Sequence, residues 1–342
     1  ADVVVRLLDA AGAALAETRT DAQGNYRFDG LLPGTYTVAE QTPGGLIDGP
    51  DRGGTVDGRP MGAMAGNDTI GGIRLTSGQA AVDYDFCEHA PASLSGAVYH
   101  DRNNNGRYDL GEEPLAGITV RLLDRTGQVL ATTQTDQDGN YEFRDLRAGQ
   151  YAVAESQPAG YLDGLDAAGT VAGTTVGTAV NPGDEIRGIG LHWGDAGQRY
   201  DFGELLSGSI QGLVFSDLDR DCRLDPEEQP LAGVTVELRD GSGRVAASTQ
   251  TDSQGKYRFA DLAPGSYTVW EQQPAGYFQG GQRAGSGGGD ASLEDTISAI
   301  AVGSGRHLTD YDFCEVPPSS LTGRVHLDPN QNCLFDAGEQ PL

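Results

Sequence analysis

The hydrophobic pattern of this chain has a period of two. Over residues 150–156, Tyr151, Val153 and Glu155 share one face of an extended segment. Similar short runs recur between turn-rich stretches, and no segment sustains the 3.6-residue period of a helix. Residues 94–204 give the fullest set of elements. A first strand is predicted over 94–100, and residues 117–123 and 128–135 read as a hairpin across Arg125-Thr126-Gly127. Asp138-Gly139-Asn140 is a turn leading into Tyr141-Glu142-Phe143, and a strand follows over 150–156. A long Gly- and Asp-rich loop runs over 158–185, and strands over 187–192 and 199–204 close the unit. About seven short strands with frequent turns predict an all-β sandwich.

This pattern repeats. Tyr84-Asp85-Phe86-Cys87-Glu88 returns from Tyr200 and again from Tyr311, steps of 116 and 111 residues. Thr20-Asp21 with Gly24, Tyr26 and Phe28 returns from Thr135 and Thr251, and Pro33-Gly34 with Tyr36, Val38 and Glu40 returns from Ala148 and Pro264. The expected domains are 1–90, 93–205 and 208–316, followed by a further opening strand and loop over 319–342. Linkers of a few residues, two of them with proline, predict a semi-rigid rod of tandem sandwiches. Gly280-Gly281 and Gly287-Gly288-Gly289 mark the long loop of the third repeat as its mobile region.

Fifty acidic against 23 basic residues give a formal net charge of −27. That balance excludes nucleic acid and anionic membrane surfaces as partners and suits a protein neutralised by cations. Gly is 51 of 342 residues, as many tight turns require. No run of 18 apolar residues is present, so no helical membrane span is predicted.

The acidic residues are not scattered. Asp101, Asn103, Asn105, Gly106, Asp109 and Glu112 fit the calcium-loop pattern D-x-[DN]-x-[DN]-G-x5-E, with the Arg107 carbonyl at the seventh position. The spacing recurs at Asp217, Asp219, Asp221, Arg223, Asp225 and Glu228, and at Asp328, Asn330, Asn332, Leu334, Asp336 and Glu339. Pro-Leu follows each copy, at Pro114, Pro230 and Pro341. Calcium accepts six to eight hard oxygens in loose geometry, which suits such loops better than magnesium. Cys222 and Cys333 replace the sixth-position glycine, so those two loops are expected to differ in backbone shape. A second, weaker set is Asp68, Asp184 and Asp295, with Asp48/Asp51 and Asp163/Asp166 in the first two units; turn formation accounts for these without metal.

Cysteine occurs at two register positions together or not at all. The second unit has Gly106 and Gly203 there, and the third has Cys222 and Cys314. A Cys222–Cys314 disulfide is expected, closing 92 residues (314 − 222) and worth about 4–5 kcal/mol if unstrained. Cys87 and Cys333 occupy the same two positions in incomplete units and are expected to pair between neighbouring copies. Four free thiols, or a local Cys314–Cys333 pair, are the alternatives. Disulfides imply an extracellular setting.

Ala1 aligns with Ala116 and Leu342 with Leu115. The expectation is that residues 320–342 complete the first domain of a neighbouring copy by strand complementation, or that this is one period of a longer repeat chain; an arbitrary fragment is the remaining reading.

Taken together, D-x-N-x-N-G-x-x-D-x-G-E-x-P-L, T-D-x-x-G-x-Y-x-F, P-G-x-Y-x-V-x-E and P-x-G-Y resemble the calcium-binding B domains of serine-aspartate-repeat adhesins, relatives of the collagen-adhesin B-type domains. The resemblance covers essentially the whole chain. It implies immunoglobulin-like or transthyretin-like sandwiches in which calcium rigidifies a surface stalk. Glu40, Glu155 and Glu271 match the acid that assists Lys–Asn isopeptide formation in collagen-adhesin relatives, but the opening strands contain no lysine and Lys256 lies in a turn, so no isopeptide bond is expected. The histidines form no triad with a recurring nucleophile, so a non-enzymatic role is expected. The leading reading is a calcium-stiffened extracellular filament or stalk. Alternatives are an adhesin segment binding a host or matrix ligand, and an accessory module of a larger secreted protein.

Overall fold

The computed structural model describes residues 1–342. The chain is all-β, in two compact units, Ala1–Leu205 and Leu206–Leu342. The first unit holds two sandwich domains. The second holds one sandwich and the segment that follows it.

In the second domain one sheet runs Val129–Gln134, Thr119–Asp124, Gly149–Glu155, Glu185–Leu191, Thr178–Val180, every pair antiparallel. The other is built on the opening strand Ala92–His100. It pairs antiparallel with Asn140–Leu146 and parallel with Ala196–Gln198 and Phe202–Leu206. Side chains of the two inner faces meet as one core that includes Leu94, Val98, Val120, Leu122, Tyr141, Val153, Ile186 and Phe202. Each fully buried side chain of this size contributes about 1.5–3 kcal/mol. The third domain repeats the plan on Gly208–Ser216, which pairs with Lys256–Leu262, His307–Leu308 and Asp312–Val316. Where the closing segment crosses the opening strand, only glycine fits. A Cβ on Gly96 would lie 1.9 Å from the Tyr200 carbonyl oxygen, and one on Gly212 1.7 Å from that of Tyr311.

The predicted hairpin and the 150–156 strand are present within two residues of their expected bounds. The 158–185 stretch differs from the expected loop. It carries short strands Tyr161–Asp163, Thr170–Val171, Thr174–Thr175 and Thr178–Val180, whose two- and three-residue lengths leave no periodic signal. In the third domain the first part of the glycine-rich stretch is a strand: Phe278–Arg283 pairs with Asp312–Val316, because Gly280 lets the two backbones approach where a Cβ would meet the Cys314 carbonyl at 2.5 Å. Asp21, Asp136 and Asp252 are turn residues as expected, each accepting two backbone N–H groups through Oδ1.

The first domain keeps the sheet Ala14–Arg19, Val4–Leu8, Gly34–Glu40, Thr69–Leu75, Ala63–Gly66. Its residues 25–31 form no strand, and Tyr26 and Phe28 are only partly buried, whereas Tyr141 and Phe143 are core. Residues 321–327, predicted as a strand, have no sheet neighbour; a single bridge joins His326 to Pro341. Leu321 is 99% exposed, against 0% for its equivalents Leu94 and Ile210.

Candidate metal centres

In the second and third domains the acidic loop leaves the end of the opening strand and folds back on itself. In the second domain Asp101 is wholly buried and its carboxylate accepts the N–H groups of Asn105 and Gly106 at 3.2 and 2.8 Å. Glu112 reaches back from the twelfth position to accept Arg102 N–H and Asp109 N–H, both at 2.9 Å. Asn105 Oδ1 accepts Arg107 N–H at 2.8 Å, which sets the seventh residue of the loop. The amides of Asn103 and Asn105 both meet Asp109 Oδ2, at 3.2 and 2.8 Å, so positions 3, 5 and 9 converge. Those hydrogen bonds hold the Asp109 carboxyl below the usual range.

The other two loops repeat this geometry. The sixth-position N–H reaches the first aspartate from Cys222 at 3.0 Å and from Cys333 at 2.7 Å. The ninth-position N–H reaches the last glutamate from Asp225 at 2.9 Å and from Asp336 at 3.0 Å. Arg223 N–H donates to Asp221 and Leu334 N–H to Asn332, at 2.8 and 2.7 Å. Asn330 and Asn332 converge on Asp336 as their equivalents do on Asp109. Position 6 needs positive φ in all three loops, with Gly106 at 69°, Cys222 at 57° and Cys333 at 61°. The expected difference in backbone shape is therefore absent; the cysteines adopt the glycine conformation at a cost of about 1–2 kcal/mol each. In the Asp217 loop, one oxygen each of Asp217, Asp219 and Glu228 lie within 4.8 Å of one another. The converging donors are all oxygens and include no imidazole or thiolate, a set that fits a hard divalent cation. In the Asn-containing loops, turning an amide about its Cβ–Cγ bond exchanges nitrogen for oxygen at the same point.

A backbone hydrogen bond and, in the second domain, a ring stack tie the loop to the sandwich. Asp101 N–H donates to the Glu204 carbonyl and Asp217 N–H to the Glu315 carbonyl, each at 2.8 Å. Tyr108 stacks on Tyr99 of the opening strand, ring centroids 4.7 Å apart. In the third domain the tie is also covalent. Cys222 and Cys314 form the expected disulfide, 92 residues apart in sequence, with Cα atoms at 5.5 Å. This removes the local Cys314–Cys333 pairing. Cys87 and Cys333 are unpaired and exposed.

A second set of acidic residues meets inside the sandwich, joining the recurring aspartates Asp68, Asp184 and Asp295, which the sequence assigns to turns, with glutamates that include Glu40, Glu155 and Glu271. One oxygen each of Glu155, Asp184 and Glu204 lie within 4.8 Å of one another, and Glu271, Asp295 and Glu315 do the same. In the first domain Asp68 belongs to two such groups, with Glu40 and Glu88 and with Asp48 and Asp51. Burial, then neighbouring carboxylates, pushes Glu155 and Glu271 far up from the usual carboxylate range, and Glu40 up to about 7. Asp166, also buried, is pushed up to about 8. The recurrence of Glu155 and Glu204 one register step apart from Glu271 and Glu315 was the available signal, but nothing in the sequence showed that they face Asp184 and Asp295.

The family described as SdrD B-like domain matches residues 1–87, 92–204 and 208–313. Serine-aspartate repeat-containing protein D of Staphylococcus aureus (strain Newman) is 29% identical over 357 residues, covering 99% of this chain and 25% of that protein. Bone sialoprotein-binding protein of Staphylococcus aureus is 34% identical over 269 residues, covering 77% of the chain and 22% of that protein. The chain thus spans about a quarter of the length of the curated relatives it matches. Among solved structures, the Bacillus anthracis TIE protein aligns over 92% of this chain and 48% of its own, at 13% identity and TM-score 0.39. Shaft pilin SpaA from Lactobacillus rhamnosus GG aligns over 68% of this chain and 100% of its own, at 12% identity and TM-score 0.28. With three matched segments that together fill most of its length, the chain belongs to the SdrD B-like domain family and takes the extracellular, cell-surface setting of that family.

Proposed function

We propose that this chain is a calcium-braced spacer of a surface adhesin, a stalk segment whose role is mechanical rather than catalytic. One observation carries the reading. In both complete domains the first aspartate of the acidic loop is buried and bonded through its own N–H to the closing strand. The oxygens of Asp101, Asn103, Asn105, Asp109 and Glu112 would hold the cation in the second domain. Those of Asp217, Asp219, Asp221, Asp225 and Glu228 would do so in the third, and Asp328, Asn330, Asn332, Asp336 and Glu339 form the remaining loop. Bound calcium supplies positive charge that offsets the mutual repulsion of these carboxylates. The loop then ties the opening strand, the closing strand and the start of the next hairpin into one body. Without the cation, the acidic side chains repel one another and the loop loosens.

The repeats are read as continuing head to tail. Residues 321–327 present Leu321 and Val325 to solvent, where the equivalent Leu94 and Val98 are fully buried in the second domain. A sandwich that takes up this strand would bring Cys333 to the register position of Cys222 and set it opposite a cysteine at the position of Cys87, in a neighbouring copy or in a continuing repeat. Non-reducing electrophoresis that gives a ladder, collapsed by reductant, is the expected result; a single band would remove the intercopy bond.

A second reading is favoured by one relative, whose name describes binding of bone sialoprotein. By this reading the segment itself holds a host matrix ligand. Electron microscopy in calcium and in chelator tests the stalk: straight rods that soften or bend in chelator are expected. Saturable binding of this segment to a matrix protein, with rods unchanged by chelator, would favour the second reading instead.

A further inference from the structure

Within the first compact unit, the first and second domains meet through a pair of stacked rings. The last strand of the first domain, Glu88–His89, pairs with Ile47–Asp48. The His89 imidazole lies against Gly49, where a Cβ would come 2.9 Å from its Cδ2 and Nε2 atoms. The same ring stacks on Trp193 of the second domain, with centroids 4.2 Å apart and planes 10° from parallel. Trp193 sits in the turn between Glu185–Leu191 and Ala196–Gln198. That turn is held in shape by His192 N–H, which donates to Asp195 Oδ2 at 2.7 Å. It also grips the linker: Gly194 N–H donates to the Ala90 carbonyl and Ser93 N–H to the Asp195 carbonyl, both at 2.9 Å. A second contact crosses the joint. Burial and the carboxylates of Asp68 and Asp51 push the Asp48 carboxyl up, and the Arg147 guanidinium of the second domain draws it back.

We propose that Trp193 is a lock that fixes the first and second domains as one rigid body, with the His89 ring as its catch. Domains joined by a short linker move relative to one another unless an interface holds them. The backbone bonds from Gly194 and Ser93 fasten the linker to the second domain alone, so they leave rotation free on the first-domain side of Ala90. The stack closes that freedom, because it sets one side chain of each domain face to face in the offset geometry that aromatic rings favour. Swivelling at the joint would break the stack and part Arg147 from Asp48. The third domain shows that the ring is an addition to a common device. There Gly305 N–H donates to the Leu206 carbonyl at 2.9 Å and Ser209 N–H to the Arg306 carbonyl at 3.0 Å, the same two ties. Ser304 stands at the position of Trp193, and its hydroxyl accepts Leu206 N–H at 2.8 Å. The backbone ties therefore recur, and the aromatic lock belongs to the first joint.

Residual dipolar couplings of the full chain report the orientation of each domain. They are measured in calcium throughout, so that the state of the acidic loops does not vary between samples. The parent is expected to give one alignment tensor for the first and second domains together. Trp193→Ala is expected to split it into two tensors of unequal magnitude. Trp193→Phe keeps a stacking ring and is expected to retain the single tensor. His89→Ala removes the stack from the other side and is expected to match Trp193→Ala. Unchanged amide shifts in the second-domain core show that each variant is folded. Two tensors in the parent or in Trp193→Phe, or a single tensor in a folded alanine variant, would overturn the proposal. Should Trp193→Ala not fold, His89→Ala decides on the same terms.

Discussion

At the scale of single residues, the side chains that matter most are those with no room for change. Gly96 and Gly212 let the closing segment cross the opening strand, and a Cβ at either would fall inside a carbonyl oxygen. Gly96→Ala is expected to destabilise the second domain by about 3 kcal/mol, since the backbone must shift to admit it. A lowered urea midpoint checks this, with the third domain unchanged as internal control. Asp101 is the second such residue. Its carboxylate accepts two loop N–H groups while its own N–H bonds the closing strand. Asp101→Ala leaves those loop donors without partners and is expected to cost about 2–3 kcal/mol even in chelator. In calcium the loss should be larger. A chelator melt in which Asp101→Ala matches the parent would show that the loop is not organised before it is loaded.

At the scale of elements, the acidic loop is a clasp, and its two complete copies are fastened differently. In the second domain Gly106 and Tyr108 leave the clasp to hydrogen bonds and stacking, while in the third the Cys222–Cys314 bond closes it covalently. Cys222→Ser is expected to lower the stability of the third domain by about 4–5 kcal/mol, from the chain entropy of a 92-residue loop. Calorimetry should then show the third-domain transition moving below that of the second; an unmoved transition would mean that the non-covalent clasp alone suffices. How far each element could be read from sequence follows from its range. The hairpins were legible because Asp124, Asp136 and their equivalents close turns over four residues. The loops were legible because all their acidic and amide positions lie within twelve residues. The buried triad was not, because Glu155, Asp184 and Glu204 are separated by whole strands and only the topology brings them together. The short strands between Tyr161 and Val180 escaped because two or three residues show no period, even where the partner is near, as when Thr170–Val171 pairs with Thr174–Thr175 and Thr178–Val180 with residues 185–187.

At the scale of the whole chain, repetition does what no single site could. A lone acidic turn is a weak signal, but three in one register, each closed on itself by the same N–H contacts, describe a building rule. On the proposed reading the same rule suits the net charge of −27, part of which bound cations would offset. The rule also predicts an ordering among the domains. The second has two asparagines in its loop and no disulfide, so its stability should depend most on the cation. The third, disulfide-closed, should depend on it less. The central claim, that cations brace these sandwiches, is tested most directly by scanning calorimetry of the intact chain in millimolar calcium and in chelator. The account predicts that removal of calcium lowers the second-domain transition by about 15 °C, the shift expected for a site some thousandfold saturated, and the third-domain transition by less. Transitions that coincide in calcium and chelator would contradict it.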